Sequence, residues 1–219
     1  MRSTVQMADL DRHVVYRIRR RDSVARHLAQ HSESVRWLRS GDMDSKAARR
    51  ATQAELVTLT DRLRHVTAVA ELAASVPVEL SAEERDVLVS AAWLHDVGYG
   101  PRLVATGFHP LDGARWLAAQ GEQRLARLVA YHSGAAYEAR YRGLMDELAE
   151  FEPEVSLVAD LLTWCDLHTG PTGERVEPRN RLAEIVHRYG PEHVVSRSIR
   201  SAEPELLATC DRVTGALAR

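Results

Sequence analysis

Cysteine is close to absent: the 219 residues hold two, Cys165 and Cys210, too few to read as a disulfide framework. Long apolar runs are missing as well. No stretch approaches the roughly 18 residues that span a bilayer, and the N-terminus lacks the apolar core of a signal peptide. No membrane contact is therefore expected, and the expected location is the cytoplasm. Lysine is reduced to Lys46, so nearly all positive charge is arginine. Alternation of apolar and polar residues, the mark of half-buried strands, nowhere competes with helical spacing, and no internal repeat is visible. What is present is 45% hydrophobic and 27% charged residues, a balance that fits a globular domain able to bury its core without staples.

The net charge of −2 hides an asymmetry. Residues 1–54 hold 12 Arg and Lys against 6 Asp and Glu, whereas residues 55–219 hold 17 against 25. The expected organisation is a basic N-terminal arm over 1–54, helical or partly disordered, followed by one domain over 55–219. Leu10, Val14 and Ile18 fall at helical spacing within the arm, and the run Arg17-Ile18-Arg19-Arg20-Arg21 could touch nucleic acid or another acidic partner. A solvated face is the plainer reading of that run. His27 and His31 lie one helical turn apart with no third ligand and read as surface residues. Ser40-Gly41-Asp42 marks a break.

Helices dominate beyond it. Leu56, Leu59, Leu63, Val66, Val69, Leu72 and Val76 recur every three or four residues and predict one helix stopping near Pro77. Ser81 and Glu84 form a capping box for the next, through Val87, Leu88, Ala91 and Leu94, which Gly98, Gly100 and Pro101 end. Pro110 suits a first helical turn, with His109 at its flank, in a helix running to Gly121. Leu125, Leu128, Val129 and His132 share one face of a fourth helix. After a charged stretch at 138–154, Pro153 precedes a helix with Leu157, Val158, Leu161, Leu162 and Asp166, broken by Gly170, Pro171 and Gly173. Helical patterns around Leu182–Tyr189 and Leu206–Leu217 close the chain. The fold class is all-α.

Successive helices each deliver a metal-ligand side chain: His65, the pair His95-Asp96, His109, His132 and Asp166. Imidazole with carboxylate suits borderline transition ions such as iron, manganese or zinc. One inward histidine is more often a hydrogen-bonded core residue than a ligand. Six ligand-type residues arriving from consecutive helices point to a metal site. Cys165 beside Asp166 has no assigned base and reads as a buried helix cysteine. His168 could donate a proton to a leaving group, and Tyr137, Arg140 and Tyr141 could line a pocket.

The order His…His-Asp…Asp, with the pair ending a helix in Ala91-Ala92-Trp93-Leu94-His95-Asp96-Val97-Gly98, resembles the HD superfamily of metal-dependent phosphohydrolases. Arg62-Leu63-Arg64-His65-Val66 is a similar setting for the first histidine. The resemblance covers roughly residues 55–170 and implies an HD-domain helical bundle. His109 in His109-Pro110-Leu111-Asp112-Gly113-Ala114 and His132 in Ala130-Tyr131-His132-Ser133 match the histidines that two-metal branches add. They resemble the arrangement in bacterial dinucleoside-tetraphosphate hydrolases. By that resemblance His65, His95 and Asp166 hold one divalent ion, His109 and His132 a second, and Asp96 bridges, since a carboxylate has two oxygens to share. Asp96 and His95 are then the catalytic pair, and no Ser or Cys nucleophile is needed, because ions about 3.5–4 Å apart share an activated water.

Two departures narrow the reading. Many superfamily phosphohydrolases carry a lysine near the substrate phosphate where this chain has Tyr99, so Arg102 or Arg115 is expected to supply that charge, with Tyr99 at the substrate. The second of two adjacent histidines in cyclic-dinucleotide phosphodiesterases is Ser133 here, which disfavours that activity. The expected substrate is a nucleotide or other small phosphoester, and self-association stays open. Two rivals share the ligand set: a mixed-valent di-iron oxygenase of the same fold, and a module that senses a nucleotide without turnover.

Overall fold

The computed structural model describes residues 43–218, all within one compact unit, Ser40–Arg219. The Leu10/Val14/Ile18 face, the arginine run at 17–21 and the pair His27/His31 lie outside the described residues. Helix α1, Ser45–Glu55, opens on Asp44, whose carboxylate accepts from the Ala47 N–H at 2.7 Å. It buries Ala47, Ala48, Ala51 and Thr52 against α3, Ala82–Leu94. Thr52 Oγ1 donates to the Trp93 carbonyl at 2.6 Å, and Met43 is buried. The expected boundary at 54/55 therefore falls inside the bundle. Alanines gave the sequence pattern too little hydrophobicity to place this helix.

The single helix expected from Leu56 to Val76 is also interrupted. Leu56 caps α1, fully buried, and a turn leads into α2, Thr60–Ser75. Ser81 caps α3 as the capping box required, its Oγ accepting from the Glu84 N–H at 3.1 Å. Arg85 on α3 donates to the Val76 and Val78 carbonyls at 2.9 and 2.6 Å, fastening the α2–α3 turn. Helix α3 is the central element, packed on α1, α2, α5 and α8. Leu88, Ala91, Ala92 and Leu94 are fully buried on it, and burying each leucine contributes about 1.5–3 kcal/mol.

Beyond α3 the chain makes a 3₁₀ turn, Val97–Tyr99, and reaches α4, His109–Ala118, with Pro110 in its first turn. The buried Asp112 carboxylate accepts from the N–H groups of Ala105, Thr106 and Gly107 at 2.9–3.1 Å, which fixes the loop leading into His109. Helix α5, Gln123–Tyr131, stops one residue before His132, which opens a second 3₁₀ turn, His132–Gly134. The charged stretch at 138–154 and the residues just before it form α6, Ala135–Arg142, and α7, Met145–Leu148. Helix α8, Leu157–Leu167, is capped by Ser156; α9, Pro178–Tyr189, and α10, Val194–Leu217, close the bundle. The last is longer than its pattern and carries Pro204 in its interior. A lone bridge, Thr169 to Arg175, is the extent of β pairing among the described residues.

One backbone contact sets the spacing of the centre. A Cβ on Gly98 would lie 2.0 Å from the His109 carbonyl oxygen and 2.6 Å from the Gly113 nitrogen. Only glycine lets the turn after His95-Asp96 press against the first turns of α4. Gly98→Ala is expected to cost about 1–3 kcal/mol as an overpacking change, read as a lower thermal midpoint, and to weaken metal uptake by separating His109 from Asp96. An unchanged midpoint would contradict this contact.

Candidate metal centre

The six expected ligands converge, each from a helix end or an inward helix face. His65 lies on α2, His95 and Asp96 follow α3, His109 starts α4, His132 follows α5, and Asp166 ends α8. They form two sets. In the first, His65 Nε2 stands 3.3 Å from His95 Nε2 and 3.1 Å from Asp166 Oδ1. In the second, His109 Nε2 stands 3.3 Å from His132 Nε2 and 3.1 Å from Asp96 Oδ1. Asp96 faces both, because its Oδ2 lies 3.5 Å from His95 Nε2 and 3.9 Å from His65 Nε2.

Backbone carbonyls decide the tautomers. Nδ1 of His65, His95 and His132 lies 2.9, 2.8 and 2.7 Å from the carbonyl oxygens of Gly170, Ala92 and Val129. A carbonyl only accepts, so each Nδ1 carries the hydrogen and each Nε2 presents a bare lone pair inward. In the first set two such lone pairs and a carboxylate oxygen face one another at 3.1–3.3 Å in a buried site. Acceptors this close need a cation among them. Ligands at about 2.0–2.2 Å from a common ion stand about 3–3.5 Å apart, so nitrogen and oxygen donors at these spacings fit a divalent transition ion.

Charge at the centre follows from burial. Burial would push the Asp96 carboxyl up, but the Arg62 guanidinium, His95 and His109 together hold it well below the usual carboxylate range. Arg62 Nη1 donates to Asp96 Oδ2 at 2.6 Å while its guanidinium carbon lies 4.2 Å from the Tyr99 ring centre, and Tyr99 stacks on His109 at 4.0 Å. Burial likewise opposes ionisation of Asp166, yet the adjoining His65 and His95 side chains and the Arg181 guanidinium hold its carboxyl well below the usual carboxylate range. Ser133 Oγ also donates to Asp166 Oδ2. Ser133 does so from left-handed backbone, φ 48°, a strain of about 1 kcal/mol held by the turn around it. Desolvation lowers His95, and desolvation with the neighbouring His109 and His95 lowers His132 to about 4.

A cleft opens over the two sets, lined by Arg62, Tyr99, Ser133, Glu138, Arg181 and Arg188 among others. Tyr99 lines it. Arg102 and Arg115 do not: Arg102 is held by Glu55 at 2.6 Å, and Arg115 pairs with Glu150 on the outer side of α4. The arginines that line the cleft are Arg62, Arg181 and Arg188. Arg62 could be found from sequence, three residues before His65 and hence on its face. Arg181 and Arg188 share a face of α9, but nothing local says that α9 roofs the cleft. In sequence Ser133 marks only a departure from the paired-histidine pattern, and no local signal points to Glu138.

Other candidates lie elsewhere. The Cys165 thiol is pushed up to about 12 by burial and is no nucleophile near neutrality. His168 donates from Nδ1 to the Trp164 carbonyl at 2.8 Å and packs on that indole, away from the cleft. Tyr137 and Tyr141 bond Glu205 and Ser201 at 2.8 and 2.9 Å, tying α6 to α10, and Tyr137 with Arg140 lines a separate groove.

A pH dependence follows. His95 and His132 titrate lower in the folded chain than the usual 6.5, so the unfolded chain binds more protons once pH falls below about 6.5. Metal-free protein is expected to hold full stability above that pH. For His132, lowered to about 4, it loses up to about 1.4 kcal/mol per pH unit as pH falls toward that value, and His95 adds a loss of the same sign. Urea midpoints at pH 7.5, 6 and 5 check this; a midpoint that rises on acidification would contradict the buried neutral imidazoles.

Comparison with known proteins agrees with this geometry. No curated protein and no solved structure matches the chain. The family model described as HD domain matches residues 62–189, more than half of the chain, from Arg62 on α2 to Tyr189 at the end of α9. That superfamily consists of metal-dependent hydrolases, mostly phosphohydrolases. With the helical bundle and the paired His/Asp sets at its centre, the chain belongs to the HD domain family.

Proposed function

We propose that the protein is a metal-dependent phosphohydrolase acting on a nucleotide or another small phosphoester. His65, His95 and Asp166 hold one divalent ion, His109 and His132 a second, and Asp96 bridges them. The observation that carries this reading is the Asp96 carboxylate, whose two oxygens face separate sets of imidazoles. Divalent ions in such a site supply Lewis acidity toward a phosphoryl oxygen and lower the pKa of water, which is what phosphoester hydrolysis requires. Iron or manganese suits this donor set, with zinc as the alternative.

The chain's own residues do the positioning. Carbonyls of Ala92, Val129 and Gly170 hold three imidazoles in the tautomer that presents Nε2. Arg62 fixes the rotation of the Asp96 carboxylate, and Ser133 fixes that of Asp166. Depressed pKa values keep protons off His95, His132 and both carboxylates at neutral pH, so acid does not compete for the donors. Burial, with the charge of Asp96, pushes the Tyr99 phenol up, so it remains protonated at the floor of the cleft.

Two measurements test this reading. Asp96→Ala is expected to lose both ions and essentially all turnover, whereas His132→Ala loses mainly one, by elemental analysis of manganese-reconstituted protein. Full metal content in Asp96→Ala would refute the bridge. Phosphate release from a panel of nucleotides and phosphoesters is expected with manganese under strict exclusion of oxygen. An oxygenase with the same ligands requires iron that cycles between oxidation states. No release across the panel, with oxygen uptake by the iron form, would replace the hydrolase by that chemistry.

A further inference from the structure

Helices α9 and α10 roof the cleft, and Arg181 reaches it from α9 while only 5% exposed. A guanidinium carries five N–H donors and keeps its charge throughout the physiological range. Among the described residues Arg181 bonds one acceptor, Glu184, at 2.5 Å from Nη1, and its buried Nε–H has none. Glu184 does not neutralise it alone, because its other oxygen lies 3.3 Å from Arg188 Nε. Two arginines on the cleft thus share one carboxylate. Arg62, the third arginine there, is committed to Asp96, and Glu138 is matched by Arg142 at 2.6 Å. A buried arginine kept for structure has its donors satisfied by the protein. Arg181 instead holds unused donors beside the Asp166 end of the centre.

We propose that Arg181 anchors a phosphate group of the substrate, with its Nε–H and adjacent Nη2–H forming the planar fork that matches two phosphate oxygens. Arg188 adds charge at the same face of α9. Ile185, Val195 and Ile199 line the cleft beside them and give an apolar wall. The ligand class is therefore an organic phosphate, recognised by its anion at Arg181 and by its apolar part along that wall. This inference rests on the phosphohydrolase reading and adds the substrate-facing cation that lies outside the ligand set.

The test uses the full chain loaded with manganese, as wild type, Arg181→Gln and Arg181→Lys, with inorganic phosphate as probe. Three readouts are taken: metal content, the thermal midpoint with and without phosphate, and product inhibition by phosphate. The anchor predicts unchanged metal content and a phosphate inhibition constant about tenfold or more higher in Arg181→Gln. It also predicts that the phosphate-induced rise in midpoint disappears. Arg181→Lys restores charge without the fork and recovers part of the effect. Phosphate constants within twofold of wild type in Arg181→Gln overturn the proposal. So does a lower midpoint without phosphate together with an intact phosphate response, or loss of the fold in both variants, since each assigns Arg181 to structure. Should wild type release phosphate from no ester while phosphate still stabilises it through Arg181, the anchor stands and the hydrolase reading falls.

Discussion

An ionised carboxylate is costly inside a protein unless positive charge surrounds it. Asp96, 3% exposed, sits among four imidazoles and one guanidinium. Removing a proton from it is favourable because the Arg62 guanidinium donates directly to Oδ2. The rest of the centre follows from accommodating that one group. Helix α3 has to end at His95, the next turn has to be short, and α4 has to begin within reach of Oδ1. Gly98 makes the short turn, and Asp112 fixes the loop that returns the chain to His109. The Arg62–Tyr99–His109 stack then packs the guanidinium in place over its carboxylate.

Much of this is legible in the amino-acid sequence. Six ligand-type side chains at helical positions are a composite signal, and each helix carrying one had its own punctuation: the Ser81 cap, the Pro110 start, the glycines at 98, 121 and 170. Such signals are local, and local chemistry dictates them. What stayed hidden depended on distance in the chain. The alanine face of α1 buries well only because α3 offers a matching surface, so residues 45–54 read as arm. Arg102 and Arg115 looked suited to substrate because they follow the His-Asp pair closely, yet Glu55 and Glu150 hold them outside. His132 was placed on a helix face and instead caps the helix, because Ser133 and Gly134 take left-handed backbone.

The C-terminal helices show the same limit from the other side. Their hydrophobic periodicity was plain, but periodicity states which face is buried and not what it is buried against. In the fold, α9 and α10 pack on each other and close over the cleft, bringing a buried arginine to a centre whose ligands all lie before residue 170. A chain stopping after Asp166 would keep every ligand and lose that wall. The ligands and the residues that face a substrate thus come from different parts of the chain, and they need not have been constrained together.

The placement of ligands at helix ends has an electrostatic consequence. His95 and His132 occupy the C-terminal caps of α3 and α5, and Asp166 lies in the last turn of α8. Each of those ends carries roughly half a negative charge from its aligned peptide dipoles. Among the described helices that carry ligands, α4 alone brings its positive end, at His109. Three negative ends against one positive make the backbone itself a cation trap before any side chain is counted. The bundle therefore supplies, through the direction in which its helices run, a field that would attract a divalent ion even in a relative whose ligands had been partly replaced.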